Sequence, residues 1–248
     1  MRHIRDNPIP FAVAATVLLA GCISPYRPGN VYWDSDCLPY ELRRVAVLPL
    51  TVGRNVPHAA AGREALEPVL RAELDKRRAF ESVLISPTDL QVWSSQPAWA
   101  ATDEMPAHLP QMVGEKTGSQ AVLFCQLTQF HPYPPIMVGW NLKLVDCRDN
   151  RILWAVDEVF DAGRPAVAGA ANHFFGENIR AVPGVDRRCI LLSPRQFGRY
   201  AAHAAVATMP ARGFTAQVSR PLADKPVQKA QSLDNGPETK APRELEGR

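Results

Sequence analysis

Cys22 is the residue whose neighbours best define a reaction. Leu19-Ala20-Gly21-Cys22 places small residues at the two positions before a cysteine. That is the pattern of a lipobox, in which a signal peptide is cut just before Cys22 and the Cys22 thiol carries the lipid. The preceding segment suits that chemistry. Arg2 and Arg5 give a positive start, and Phe11 to Ala20 give an apolar stretch within the roughly 7–15 residues of a signal h-region. The stretch falls short of the about 20 apolar residues that span a bilayer. Residues 1–21 are therefore expected to be a lipoprotein signal peptide, and Cys22 the point at which the mature chain is attached to a membrane.

Elsewhere the reactive residue types lack the company that catalysis requires. The histidines His3, His58, His108, His131, His173 and His203 occur singly, and the sequence has neither a His-Glu-x-x-His nor a Cys-x-x-Cys pattern, so no metal and no other cofactor is expected. It also has no Gly-x-Ser-x-Gly elbow and no phosphate-cradling glycine loop. The chain is expected not to be an enzyme. A periplasmic hydrolase, the least supported alternative, would need a pocket with convergent polar groups and shifted pKa values.

Four cysteines accompany Cys22: Cys37, Cys125, Cys147 and Cys189. Export would put them in an oxidising compartment, where three pairings are open. If the strands holding Cys125 and Cys147 form a hairpin about His131 to Met137, Cys125 faces roughly position 143. Cys147 is then offset by about four residues, or about 13 Å, whereas a disulfide needs Cα atoms within about 7 Å. Cys37 with Cys189 is the pair to test first, with buried free thiols as the alternative.

Recognition has two candidate segments. His131-Pro132-Tyr133-Pro134-Pro135-Ile136-Met137 is a stiff aromatic-bearing connection, suited to presenting Tyr133, Pro134 and Pro135 to a partner with little ordering cost. The alternative is a proline-rigidified turn with Ile136 and Met137 tucked into the core. Trp93 and Trp99 lie in a long stretch without period, and tryptophan is enriched at binding hot spots. Anchoring their own loop is the alternative for both. A nucleic-acid partner is not expected, because 28 basic and 25 acidic residues are interspersed and leave a net charge of only +3.

The elements that must position these residues follow from pattern. A hydrophobic fraction of 46% and 248 residues suit one globular domain with appendages. Residues 22–42 carry Pro25, Pro28, Gly29 and Pro39 without an apolar period and are expected to be a flexible tether. Tyr26, Tyr32 and Trp33 would rest at the lipid interface or, alternatively, dock on the domain. Residues 43–212 hold the domain. Arg43 to Leu50 predicts a central strand, apolar on both faces. Around Glu64 to Arg78, Leu66, Val69, Leu70 and Leu74 form a helical stripe, with Pro68 in the first turn or at a kink. Ser82 to Ile85 predicts a short strand, and Pro87 to Pro106 an irregular stretch. A short helix is expected over Leu109 to Lys116, with Pro110 at its first position and Gly118 just past its end.

Three strands follow over Ala121 to Phe130, Val138 to Asp146 and Ile152 to Phe160. Ala166 to Ile179 and the stretch after the Ser193-Pro194-Arg195-Gln196 cap predict closing helices. Residues 213–248, mostly polar, charged or proline, are expected to be a disordered tail. The order β-α-β-α-β-β-β-α-α predicts an α/β (α+β-like) fold: a mixed sheet of about five strands with helices packed on it.

Three stretches within this order resemble a known family. They are Arg44-Val45-Ala46-Val47-Leu48-Pro49-Leu50, Gly118-Ser119-Gln120-Ala121-Val122-Leu123, and the hairpin from Leu142-Lys143-Leu144-Val145-Asp146 to Arg151-Ile152-Leu153-Trp154. They resemble the domain shared by the curli-secretion lipoproteins (CsgG-like), the LpoB-type activator lipoproteins and the N-terminal domain of TolB. The resemblance covers about residues 43–211. It implies an envelope lipoprotein at the periplasmic face of the outer membrane, since Ile23 stands where an inner-membrane retention signal would place aspartate. The implied function is non-catalytic binding or assembly with an envelope protein partner, or with further copies of the chain. The alternative is a subunit of a CsgG-like outer-membrane secretion complex. Against it, each membrane strand needs about 9–11 residues, and the Phe130 to Val138 and Cys147 to Arg151 connections are too short to hold such a hairpin.

Overall fold

The computed structural model describes residues 26–178 and 187–213. Leu19, Ala20, Gly21 and Cys22 lie outside the described residues, as does the chain from residue 214 onward. Seven strands form one sheet: β1 (Val31–Trp33), β2 (Arg44–Val47), β3 (Thr51–Val52), β4 (Glu81–Leu84), β5 (Ala121–His131), β6 (Met137–Asp146) and β7 (Ile152–Asp161). The helices are α1 (Ala59–Arg77), α2 (Pro87–Ser94), α3 (Leu109–Thr117), α4 (Pro165–Asn178) and α5 (Pro194–Ala207), with a 3-10 segment over Arg187–Leu192. The mixed α/β architecture is as expected, with two more strands, β1 and β3, and one more helix, α2.

The sheet order is β1-β7-β6-β5-β2-β4, with β3 also paired to β5. Val45, Ala46 and Val47 of β2 are buried because parallel partners, β4 and β5, flank them and helices cover both faces. The antiparallel meander β5-β6-β7 is joined by residues 132–136 and 147–151, and Cys125 pairs with Leu142. Two cores result. On one face α1, α4 and α5 bury Leu66, Val69, Leu70, Phe197 and Ala201 against Val45, Val47 and Leu123. On the other, Leu90, Trp99, Leu109 and Val113 pack on Ala46, Val122 and Phe124.

Three local readings differ. Helix α1 begins at Ala59, earlier than its apolar stripe suggests, so Pro68 lies inside it and no capping side chain marks its start. The irregular stretch contains α2, which is started by Ser86: its side chain accepts a hydrogen bond from Asp89 N, with Pro87 in the first turn.

The third difference is at the start of the domain. From Tyr26 the chain follows the docked course. β1 adds antiparallel to β7, Trp33 Nε1 donates to Thr208 O at 2.8 Å, and Asp34 pairs with Arg151 at 3.0 Å. Further on, Leu38 N donates to Ala211 O and Gly213 N to Leu38 O, both at 2.9 Å.

Candidate functional site

A groove of about 770 Å³ runs along the β1 edge of the sheet, between the Tyr26–Trp33 segment, α4 and α5. Its volume falls in the roughly 300–1,000 Å³ range of ligand pockets. Tyr26, Val31, Trp33, Phe174, Ala204 and Ala207 give it apolar walls, and His173, Glu177, His203 and Thr208 add polar groups. Tyr26 is fixed at one end. Its hydroxyl donates to Glu158 Oε1 at 2.6 Å, its ring meets Phe160 edge-on at 6.0 Å, and the Arg164 guanidinium lies 5.5 Å from its centroid. Burial, reinforced by Glu158, pushes the Tyr26 hydroxyl up to about 12. Tyr200, whose ring meets Phe160 at 5.9 Å, is also raised by burial, and its hydroxyl oxygen has no hydrogen-bond partner among the described residues.

Below the groove, the buried Glu73 of α1 gathers Lys76 and, from α5, Arg199 and His203. Burial opposes its ionisation, yet hydrogen bonds from His203, Lys76 and Arg199 outweigh that and hold its pKa down to about 2. A carboxylate so placed is a fixed counter-ion at neutral pH, unsuited to proton transfer there. Glu73 and Tyr200 were not among the residues the sequence singled out. The available signal was a carboxylate at position 73 on the same helical stripe as Leu66, Val69, Leu70 and Leu74.

The Tyr133 connection is exposed and ordered. Tyr133 is 61% exposed, and its ring is held edge-on between His58 at 5.9 Å and His131 at 6.1 Å. His131 Nδ1 lies 2.8 Å from Tyr133 O, and the Pro134–Pro135 peptide is cis. Ile136 is buried, so the turn both packs and presents an aromatic. Trp99 is only 7% exposed and donates from Nε1 to Ser94 Oγ at 2.9 Å. It anchors its loop and offers no surface to a partner. Trp93 packs beside it on the same core.

All four described cysteines are free thiols, so the expected Cys37–Cys189 pair is not formed. Cys37 is exposed where its segment meets Gly213, while Cys189 lies in the 3-10 segment against the α1, α4 and α5 core. Cys125 and Cys147 are buried. Among the described residues no group of three or more His, Cys, Asp or Glu side chains is placed to hold a metal ion. No described helix is long and apolar enough to cross a membrane.

The sequence matches no protein-family model and no curated protein. Among solved structures it is similar to the PelC dodecamer from Paraburkholderia phytofirmans, at 12% identity over 74% of this chain and 99% of that chain, with a TM-score of 0.40. It is also similar to lipoprotein GNA1162 from Neisseria meningitidis, at 14% identity over 55% of this chain and 99% of that one, TM-score 0.36. LpoB from Escherichia coli matches at 13% identity over 65% of this chain and 82% of that one, TM-score 0.34. These are likenesses of fold at low sequence identity, and one of the three is itself described as a lipoprotein.

Proposed function

We propose that this chain is an envelope lipoprotein, attached through lipid on Cys22 at the periplasmic face of the outer membrane, which works without catalysis as a binding or assembly factor. Its partner is another envelope protein, seated in the groove between the Tyr26–Trp33 segment, α4 and α5. The observation that carries this reading is the character of that groove. Its walls are mainly apolar, Trp33 is 49% exposed along it, and the carboxylate beneath it is tied up by three basic side chains. Such a surface gains free energy by excluding water from an apolar partner.

Two measurements test this. Metabolic labelling with a fatty acid should modify the wild-type chain and not Cys22→Ser. A photoreactive residue at Ala207, on the groove wall, should give the same envelope-protein adduct in repeated experiments on intact cells, and Ala204→Trp, which fills the groove, should abolish it. Adducts that survive Ala204→Trp, or that recover no reproducible protein, would refute groove binding. Adducts to a second copy of the chain would identify the occupant as a homo-oligomer partner.

A further inference from the structure

Tyr26 is fixed on the domain by Glu158, and three residues, Ile23, Ser24 and Pro25, separate it in sequence from Cys22. The four-residue step from Cys22 to Tyr26 can span at most about 14 Å. Tyr26 lies at one particular end of the sheet. It is held by Glu158, Phe160 and Arg164, at and just beyond the end of β7. The Tyr133 turn lies at that same end. Ala162 N donates to Ile136 O at 2.9 Å, and a Cβ built on Gly163 would sit 3.4 Å from Pro135 Cβ. The loop of residues 53–57 adjoins it, sharing a concavity with His131 and Met137.

The exposed groups at this end suit a lipid headgroup layer. Tyr133 projects from the turn, the exposed Arg54 lines the concavity shared with His131 and Met137, and the exposed Arg164 lies over the Tyr26 ring. Tyrosine is favoured at the membrane–water interface, and basic side chains are attracted to an anionic lipid surface. The 147–151 turn lies at the opposite end, about 30 Å away along the ten residues of β6.

We propose that the end of the sheet bearing Tyr133, Arg54 and Arg164 lies against the bilayer that holds the Cys22 lipid, with Tyr133 at the headgroup level and the groove opening sideways above it. This rests on the lipid attachment proposed above. The short link makes the domain a fixed, oriented reader of the membrane surface, and Tyr133 then contacts lipid in place of a protein.

The test uses the full lipidated chain reconstituted in vesicles containing anionic phospholipid, with the photoreactive p-benzoylphenylalanine replacing Tyr133 in one variant and Asp149 in another. Intact mass first establishes whether Cys22 carries lipid. If it does, phospholipid adducts should be several-fold more abundant from position 133 than from 149. Insertion of about 20 Gly/Ser residues between Pro25 and Tyr26, with a root-mean-square reach of about 25 Å, should reduce them toward the position-149 level. Equal adducts from the two positions, no lipid adduct at 133, or adducts indifferent to the insertion would each overturn the proposal. An unlipidated Cys22 would instead refute the reading on which it rests, and the proposal with it.

Discussion

His203 Nδ1 lies 3.4 Å from Glu73 Oε2 across the contact between α5 and α1, and Arg199 Nε lies 3.2 Å from the other carboxylate oxygen. Lys76 meets that same oxygen from within α1. The Glu73 side chain is 3% exposed, so it joins the two helices as a buried anion whose partners reach out to solvent.

Acid stability should depend on this carboxylate. A group whose folded pKa is depressed contributes stability that is fully present above its unfolded pKa and is lost as pH falls through the folded value. For Glu73 that window runs from the ordinary 4.5 down to about 2. Glu73→Gln keeps the volume, removes the charge and leaves three partners without their anion. It should cost about 1–3 kcal/mol at neutral pH and flatten the loss of stability between pH 4.5 and 2. Urea denaturation of both proteins across this range checks it, and acid limbs of equal steepness would contradict the assignment.

The closeness of the same two helices depends on Gly198. A Cβ there would lie 2.2 Å from Leu66 Cδ2, so the fully buried Leu66 would have to shift. Two effects oppose each other in Gly198→Ala. Alanine gains about 1 kcal/mol in helix propensity over glycine, and overpacking costs about 1–3 kcal/mol. The clash should win, lowering Tm by several degrees. In a Leu66→Ala background the obstruction is gone, and Gly198→Ala should become neutral or stabilising. A double-mutant cycle by thermal denaturation separates the two contributions.

The parts of this architecture that could be read in the sequence are those with local causes. Leu66, Val69, Leu70 and Leu74 repeat at the helical period, and Trp140, Leu142 and Leu144 alternate at the strand period, so α1 and β6 declare themselves. Gly118, which adopts φ +67° at the end of α3, is a local stop signal of the same kind. The Ser86-Pro87-Thr88-Asp89 start of α2 was equally present but lay hidden in a stretch dominated by prolines and tryptophans. What could not be read has distant causes. β1 is a strand because β7 presents an open edge more than a hundred residues later. The groove exists because Tyr26 meets Glu158 and Phe160, and no periodicity in residues 22–42 encodes that encounter.

Thiol chemistry gives an independent check on burial. Burial in apolar surroundings, with nearby acidic charge, pushes both Cys125 and Cys147 up to about 12, so neither supplies thiolate at neutral pH. Cys37 is exposed. Native alkylation followed by intact mass should modify Cys37 first and leave Cys125 and Cys147 unmodified until the protein is denatured. Rapid labelling of either buried thiol would show that the structure opens there. A mass two units below the fully reduced value without reductant would show that a disulfide forms after all.

The attachment of the Tyr26–Trp33 segment is the most finely balanced part of the fold, because it joins the sheet through a strand of only three residues. Glu158 holds it, accepting from the Tyr26 hydroxyl at 2.6 Å and from Gly29 N at 2.8 Å. Tyr26→Phe removes one of these bonds and keeps the ring against Phe160. Hydrogen bonds to charged groups contribute about 1.5–3 kcal/mol when well shielded, and solvent access here argues for the lower end. At about 1.4 kcal/mol per factor of ten, amide exchange over Asn30–Trp33 should quicken about tenfold in Tyr26→Phe. It should quicken further in Glu158→Gln, which weakens both contacts. Global Tm should move little, since an edge strand opens without unfolding the sheet. Exchange unchanged in both variants would mean that β1 and Trp33 hold the segment without Glu158. If the Cys22 lipid holds the domain as proposed, lipid adducts at position 133 should also fall in any of these variants that populates the released segment, because the released residues would lengthen the link to Cys22.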